Sequence, residues 1–198
     1  MEYQDSSLDL AGLTVVTIEQ AVAAPYVSCR LADAGARVIK VERPEGDFAR
    51  GYDSNVLGNS AYFVWLNRGK ESIALDLKNN DDLSILKNII SKADILIQNL
   101  APGAFERLGI NLKNLRSVFP KLITCSISGF GEDGPYKNQK AYDMLIQAET
   151  GLIELTGLPD KENFDGRAKV GASVCDISAG MTAYQAILQA LIKRGVSG

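Results

Sequence analysis

The sequence predicts an α/β protein built on a doubly wound, mostly parallel, Rossmann-like sheet. Short apolar, β-branched segments alternate with helical segments along the chain, which is typical of parallel sheets covered by helices. Residues 13–42 give the clearest case, since the strand LTVVTI, a short helix and the strand RVIKVE follow one another. Such a βαβ unit implies two parallel strands joined by a right-handed crossover.

The remaining elements follow from apolar periodicity and from residues that start or stop helices. Further strands are expected at Ser72–Leu77, Asp94–Gln98 and Leu122–Ser128, and helices at Tyr26–Ala34, Asp81–Ala93, Leu112–Phe119, Tyr142–Thr150 and Ile177–Lys193. Arg43–Ser60 is charged and rich in Gly and Asp, so we expect a loop over the sheet edge. Gly129–Lys140 is expected to form a second loop, and Leu158–Lys169 a polar insertion.

Composition restricts the class of protein. The chain has 198 residues, of which 46% are hydrophobic and 23% charged, and these values are ordinary for a globular domain. The net charge of −3 argues against a nucleic-acid partner. No apolar run approaches the roughly 20 residues of a membrane helix, and the first ten residues lack the pattern of a signal peptide. We therefore expect a cytoplasmic protein with no membrane partner.

The sequence contains no histidine, and this restricts the chemistry available to it. Ser-His-Asp and Cys-His nucleophiles are excluded within the chain, as are zinc sites with histidine ligands. Cys29, Cys125 and Cys175 are too scattered to suggest a zinc site, so we expect no metal. Any acid, base or nucleophile must be Asp, Glu, Lys, Tyr, Cys or Ser.

The segment Gly129–Gly134 reads GFGEDG and matches the glycine pattern of dinucleotide-binding loops. The context of that pattern is missing, because Pro135 follows at once and no helix opens whose N-terminus could hold a pyrophosphate. We interpret the segment as a glycine-built loop near an active site, in preference to a nicotinamide or flavin site.

A second candidate, Asn99–Ala104 followed by Arg107, comes just after a predicted strand, where open α/β sheets bind ligands. A turn with free N–H groups beside an arginine suits a phosphate or a pantetheine amide. A tight turn with a solvated arginine explains the same residues equally well.

Asp176 stands at the head of the last predicted helix and is followed by the small residues Ala179 and Gly180. One interpretation is an N-cap, since aspartate is favoured there. The other is a nucleophile: a helix N-terminus keeps a carboxylate ionised, and an ionised carboxylate can attack an acyl carbon to form an anhydride. Small neighbours would leave room for a substrate. The residues alone leave both interpretations open.

Several segments, in one order, resemble the class III CoA transferases of the CaiB/BaiF type, to which formyl-CoA transferase belongs. These segments are Glu19–Pro25, Gly35–Pro44, Asn67–Ser72, Asn99–Gly109, Ser128–Tyr136 and Asp176–Met181. The resemblance extends from Leu10 to Gly198. It implies that residues 1–198 form the N-terminal part of the large, CoA-binding domain of that family.

The resemblance also implies an activity, in which coenzyme A moves from an acyl-CoA thioester to a free carboxylic acid. Asp176 would be the nucleophile, forming an aspartyl anhydride and then an aspartyl-CoA thioester. The positions implied to contact CoA are Val22, Ala23, Arg43, Leu75, Lys78, Asn99, Ala104, Arg107, Leu108 and Lys140. The implied acyl-pocket residues are Tyr52, Tyr62, Tyr142 and Asp143. For Arg43 and Lys140, an ordinary surface charge is the alternative.

Within the family, the related α-methylacyl-CoA racemases are the main alternative. They place an acid/base histidine where this chain has Tyr142, so the absence of histidine favours transfer over racemisation. The segments Glu19–Pro25 and Ala141–Gln147 resemble members that act on short dicarboxylic acids.

The resemblance raises a question of length, because members of the family are considerably longer. We therefore expect the small domain and the C-terminal segment to be absent from the chain. The expected partner is a second copy, as in the homodimers of the family, or a complementing C-terminal half. A truncated, non-catalytic CoA-binding protein is a third alternative.

Overall fold

The computed structural model describes residues 7–158 and 166–197, whose strands form one five-stranded sheet. The strands are β1 (Thr14–Ile18), β2 (Arg37–Glu42), β3 (Lys70–Ala74), β4 (Ile95–Gln98) and β5 (Ile123–Ser126). Every neighbouring pair is parallel, and the order is β3-β2-β1-β4-β5. Because the chain winds outwards from β1 in both directions, the structure confirms the predicted doubly wound α/β sheet.

Helices connect the strands and cover the sheet. They are α1 (Ala23–Asp33), α2 (Ala61–Asn67), α3 (Asn80–Ile90), α4 (Ala104–Arg107), α5 (Leu112–Val118), α6 (Asp143–Glu149), α7 (Leu152–Leu155) and α8 (Val174–Ser197). The five helices predicted from the sequence are present with shifted ends. The additional helices α2, α4 and α7 have only four to seven residues, too few to show a clear apolar period. No helix within the described residues has the length and apolar character of a membrane span.

Alternate residues of the central strands pack on opposite faces of the sheet, as the period of a β-strand requires. Val15 and Ile95 belong to a core that includes residues of α1 and α8. Val16 and Leu96 belong to a second core, with residues of α3. The sheet is therefore the middle of three layers, and both of its faces are covered.

The segment Arg43–Ser60 is more ordered than the predicted loop. It forms a 3₁₀ turn at Phe48–Gly51, and the carboxylate of Asp47 accepts the Ala49 N–H at its start. Asp47 is buried and pairs with Lys40 of β2. A buried lysine needs such a partner, and this requirement fixes the segment over the end of the sheet.

Helix α8 lies beside α1 and runs from the carboxyl edge of the sheet to its amino edge. Near its start, a Cβ added to Gly180 would lie 2.8 Å from the carbonyl oxygen of Ala23, in the first turn of α1. Near its end, Arg194 forms an ion pair of 3.1 Å with Asp94, which directly precedes β4. The first turn of α8 is thus at the edge where open α/β sheets bind their ligands.

Candidate active site

The residues expected to contact CoA follow the carboxyl ends of neighbouring strands. Parallel strands place these ends on one edge of a sheet, so residues distant in sequence come together. Val22 and Ala23 follow β1, Arg43 follows β2, Leu75 and Lys78 follow β3, and Asn99, Ala104, Arg107 and Leu108 follow β4. Lys140 follows β5, in the loop ahead of α6. The fold therefore collects the predicted positions along a single edge.

Four of these residues are exposed cations: Arg43, Lys78, Arg107 and Lys140. The Nε–H of Arg43 donates to the Gly46 carbonyl at 2.9 Å. The Nη1–H of Arg107 donates to a carbonyl of its own loop at 3.3 Å. Exposed cations beside strand ends suit the phosphates of a nucleotide.

The apolar members of the predicted CoA set have a different position. Val22, Ala23 and Leu75 are 3%, 7% and 4% exposed, and Leu75 belongs to the core on the α3 face. Leu108 packs against the same core. Only the backbone of the buried residues could meet a ligand, because their side chains are already packed.

Asn99 holds the loop between β1 and α1. Its Oδ1 accepts the Gln20 N–H at 3.0 Å, and its Nδ2–H donates to the Gln20 carbonyl at 2.9 Å. On the other side, Asp47 Oδ1 accepts the Ala21 N–H at 3.2 Å. Ala21 has a φ of 65°, a left-handed conformation that costs a residue with a side chain about 1 kcal/mol and requires support. These bonds fix where α1 begins.

Beneath this loop lie two ion pairs and an asparagine that joins them, hereafter the buried charge network. Its members are Glu19, Lys40, Asp47, Asn67 and Lys70. Lys40 Nζ donates to Asp47 Oδ2 at 2.7 Å, and Lys70 Nζ donates to Glu19 Oε1 at 2.7 Å. Asn67 Oδ1 accepts from both ammonium groups, at 2.8 and 3.2 Å. Both ion pairs are almost fully buried, so each charge depends on its partner.

The head of α8 differs from the sequence prediction in one respect. The helix begins at Val174, before the expected start at Ile177, and Asp176 lies within its first turn. The carboxylate of Asp143 accepts the N–H groups of Cys175 at 2.8 Å and Asp176 at 3.1 Å. Asp143 therefore satisfies the helix N-terminus, and the Asp176 carboxylate is not needed as a cap.

The Asp176 carboxyl is half-buried. Within the described residues it has no partner of opposite charge, and no group donates a hydrogen bond to it. Burial, together with the negative charge of Asp143, raises its pKa from an ordinary 3.8 to about 6. At neutral pH it is ionised, and it is a stronger base than an ordinary carboxylate.

Tyrosine side chains complete the surroundings of Asp176. The rings of Tyr52 and Tyr62 lie 6.1 Å apart in an edge-to-face contact. Burial raises the pKa of Tyr52 to about 12, with further contributions from the charges of Asp47 and Asp176 and from Tyr142. The phenol of Tyr52 thus stays protonated and can donate a hydrogen bond. The structure brings the four predicted pocket residues to the same end of α8 as Asp176.

A cavity of about 460 Å³ opens between α4 and the loop that precedes α6. Its lining includes Ala104, one of the predicted CoA positions, together with Ser128, Gly131 and Lys137. The loop opens no helix before Asp143, in agreement with the rejection of a dinucleotide fingerprint. In the described part of the chain, Asp176 does not line this cavity.

A comparison with protein families decides what the chain is related to. The model of CoA-transferase family III matches residues 10–198. The chain belongs to this family. The resemblance seen in the sequence is thereby confirmed over nearly the whole chain.

Similar proteins within the family include enzymes named for dicarboxylic acids. The chain is 40% identical over 189 residues to the acetyl-CoA:oxalate CoA-transferase of Acetobacter aceti, covering 94% of this chain and 48% of that protein. It is 37% identical over 198 residues to the succinate–glutarate CoA-transferase of Agrobacterium fabrum (strain C58), covering 96% and 48%. The chain spans about half the length of the curated relatives it matches.

A solved structure shows the same relation. The chain superimposes on a CAIB/BAIF family protein from Brucella suis with a TM-score of 0.88 and 38% identity, covering 96% of this chain and 51% of that one. This agreement supports the arrangement of the family III fold described above.

The structure corrects the expected role of Gly180. Small residues after Asp176 were expected to leave room for a substrate. The space beside Gly180 is instead occupied by α1, since an added Cβ would lie 2.8 Å from Ala23 O and 3.0 Å from a ring carbon of Tyr26. Glycine is needed here because two helices approach closely.

Sequence reasoning missed residues that act through their partners. Lys40, Asp47 and Lys70 were not singled out, and Gln147 appeared only within a predicted helix and at the end of the segment Ala141–Gln147, with no role of its own. A lysine between two apolar residues of a buried strand was a usable signal, because it demands a nearby carboxylate. The partner itself could not be read from the sequence.

Within the described residues, no group of three or more His, Cys, Asp or Glu side chains could hold a metal ion.

Proposed function

We propose that the chain provides the nucleophile and part of the CoA site of a CoA transferase that moves coenzyme A from an acyl-CoA to a free carboxylic acid. The observation that carries this proposal is the state of Asp176: half-buried, without a hydrogen-bond donor among the described residues, and with a pKa raised to about 6 by burial and by Asp143. Such a carboxylate is ionised at neutral pH and not occupied in supporting the fold. Membership of family III supports the same activity.

The proposed reaction begins with attack of the Asp176 carboxylate on the thioester carbon. The C–S bond breaks, CoA thiolate leaves, and a mixed anhydride forms. The thiolate then attacks the aspartyl carbonyl, which releases the donor acid and leaves an aspartyl-CoA thioester. The acceptor carboxylate displaces the thiolate to form a second anhydride. Attack of the thiolate on the acceptor carbonyl gives the new acyl-CoA and restores Asp176. Each step exchanges one acyl bond for another.

The neighbouring residues have roles in this scheme. The protonated phenol of Tyr52, whose pKa is influenced by the charge of Asp176, would donate to an oxygen that gains charge during attack. The exposed Arg43, Lys78, Arg107 and Lys140 would bind the CoA phosphates. The backbone at Val22, Ala23 and Leu75, with Asn99, Ala104 and Leu108, would line the rest of the CoA path.

For the acceptor we propose a short dicarboxylic acid. The support is the naming of relatives for oxalate and for succinate and glutarate. Titration of candidate donors and acceptors, from monocarboxylates to dicarboxylates of increasing length, would test this.

For domain organisation, we propose that residues 1–198 form the N-terminal part of the CoA-binding domain. The partner would be a second copy or a complementing C-terminal half. A cytoplasmic location remains a prediction from the sequence.

The test of the proposed reaction traps the acyl enzyme. The chain is incubated with an acyl-CoA, alone and with a polypeptide covering the remaining half of a relative, and quenched with hydroxylamine, and the hydroxamate is detected by the mass of the peptide that contains Asp176. We expect a hydroxamate at Asp176 and at least about a thousandfold less in Asp176→Asn, because the nucleophile is removed. The matched control is Asp81→Asn, an exposed aspartate on α3. Formation of the adduct should rise with pH through about 6, as Asp176 ionises.

Other outcomes would contradict this proposal in distinct ways. CoA binding with no adduct in either mixture would favour a non-catalytic CoA-binding protein. Exchange of the α-proton of the acyl group without acyl transfer would favour the racemase-like alternative.

A further inference from the structure

The amide of Gln147 occupies an unusual place in the molecule. The side chain is 1% exposed and lies in α6, between Asp143 at the start of that helix and the loop that leads to α8. A buried amide is destabilising unless its polar atoms are satisfied. Both polar atoms of the Gln147 amide have hydrogen-bond partners, so the fold provides a specific polar environment for this side chain.

The orientation of the amide follows from its neighbours. The N–H of Val170 donates to Gln147 Oε1 at 2.8 Å, and a backbone N–H can only donate. Gln147 Nε2 is therefore turned toward Asp143 and donates to its Oδ2 at 2.6 Å, with a second, longer bond of 3.3 Å to the Val170 carbonyl. The amide thus joins the loop at Val170 to one oxygen of the Asp143 carboxylate.

The other oxygen of Asp143 faces α8. Its Oδ1 accepts the N–H groups of Cys175 and Asp176, two of the four N–H groups that the start of a helix leaves without internal partners. The series Gln147–Asp143–Asp176 therefore links a buried side chain to the backbone of the nucleophile through two hydrogen bonds, and a third joins Asp143 to the preceding Cys175. Its members come from α6 and α8, and Asp143 and Asp176 are 33 residues apart in the sequence.

We infer that Gln147 is a positioning residue for Asp176, acting through the Asp143 carboxylate. This inference rests on the proposed function, in which Asp176 is the nucleophile. Gln147 touches no reacting atom. It holds Asp143 in the rotamer that receives both N–H groups, and so fixes the first turn of α8 against α6. Misplacement of a reacting group by about 1 Å can slow a reaction a hundredfold. The hydrogen bonds from Gln147 through Asp143 should therefore raise the rate at which Asp176 is acylated.

The first test replaces Gln147 with methionine, which has similar length but no amide. We expect the amide hydrogens of Cys175 and Asp176 to exchange at least about tenfold faster, because a hydrogen bond to a charged group is lost from their acceptor. Adduct formation at saturating donor should slow about ten- to a hundredfold, with the half-saturating donor concentration unchanged. The matched control is Gln185→Met, an exposed glutamine on α8, which should change neither.

The second test exchanges donor and acceptor. Asp143→Asn alone places a donor against the Gln147 donor, and Gln147→Glu alone places two carboxylates together. The double variant Asp143→Asn/Gln147→Glu restores a donor–acceptor pair with the original net charge. The amide introduced at position 143 can donate a hydrogen bond to the carboxylate introduced at position 147. We expect both single variants to show fast amide exchange and slow adduct formation, and the double variant to recover both to within about threefold.

The outcomes separate this inference from the proposed function. If Gln147→Met leaves amide exchange and adduct formation as in the unaltered protein, or if the double variant is no better than the worse single variant, the positioning role is wrong. If amide exchange responds as expected while no variant forms an adduct, the link to Asp176 stands and the proposed reaction fails. Near-ultraviolet circular dichroism checks that each variant is folded.

Discussion

The buried charge network and the head of α8 lie at the same edge of the sheet, but their carboxylates have opposite electrostatic surroundings. Lys40 with Asp47 and Lys70 with Glu19 are paired at 2.7 Å. Asp176, by contrast, has a negative neighbour in Asp143 and no hydrogen-bond donor among the described residues. Paired charges hold backbone, whereas an unpaired one remains free to react.

The carboxyls in the two regions respond to burial differently. Burial disfavours the charged form of Glu42, which adjoins the network, but hydrogen bonds from Arg50, Ser72 and the Asp47 N–H lower its pKa to about 2. No such donors oppose burial at Asp176 among the described residues, and its pKa rises to about 6. The direction of a pKa shift therefore depends on the donors supplied and not on burial alone.

Breaking one pair of the network should have the largest effect on stability. Lys40→Met leaves the Asp47 carboxylate buried without its main partner, so we expect a loss of about 3–5 kcal/mol in the free energy of unfolding, measured with urea. The matched control, Lys87→Met on the exposed side of α3, should change stability by less than about 1 kcal/mol.

The double variant Lys40→Met/Asp47→Asn sharpens this prediction, because the amide oxygen can still accept the N–H groups of Ala21 and Ala49 while both charges are removed. Removing both charges eliminates the unpaired carboxylate, so much of the loss should be recovered. If the double variant is as unstable as the sum of its single changes, the two residues do not act as a pair, and the contrast with Asp176 loses its basis.

Gly180→Ala tests the close packing of α8 against α1, about one helical turn after Asp176. Its Cβ would meet Ala23 O at 2.8 Å and push α8 away from α1, with an expected loss of about 2 kcal/mol. The pKa of Asp176 should fall toward its ordinary value as the carboxyl becomes more exposed to solvent. The pKa is measured by titration of the ¹³C chemical shift of the carboxyl carbon. Gly195→Ala, later in α8 and with open space around it, should be neutral or slightly stabilising. Equal losses in the two variants would contradict close packing at Gly180.

Asp176→Asn should stabilise the protein at neutral pH, opposite in sign to Lys40→Met. The folded pKa of about 6 exceeds the ordinary 3.8, so the folded state binds more protons between these values and loses stability as pH rises through them. The shift corresponds to at most about 3 kcal/mol, and solvent screening reduces the expected gain at pH 7.5 to about 1 kcal/mol. Thermal unfolding at pH 7.5 and pH 4 measures it. A gain that persists unchanged at pH 4 would contradict this account.

Much of the fold followed from local pattern. The strand at Ile95–Gln98 is an apolar run, the strand at Arg37–Glu42 is rich in β-branched residues, and the periodicity of residues 81–93 indicated α3. The helix ends were less predictable. The start of α8 depends on Asp143, an acceptor that lies 32 residues before Cys175, and no local signal shows that contact.

The sequence by itself determined the sheet class and the absence of histidine chemistry, because these follow from local periodicity and residue type. The candidate nucleophile came from the resemblance of ordered segments to a family, since the residues around Asp176 fit an N-cap equally well. Only the tertiary structure decided that Asp143 caps α8, that Gly180 serves helix packing and that Gln147 supports Asp143. Those roles depend on contacts between segments far apart in the chain. Hydrogen bonds and burial act over a few ångströms, and the sequence does not record which residues come that close.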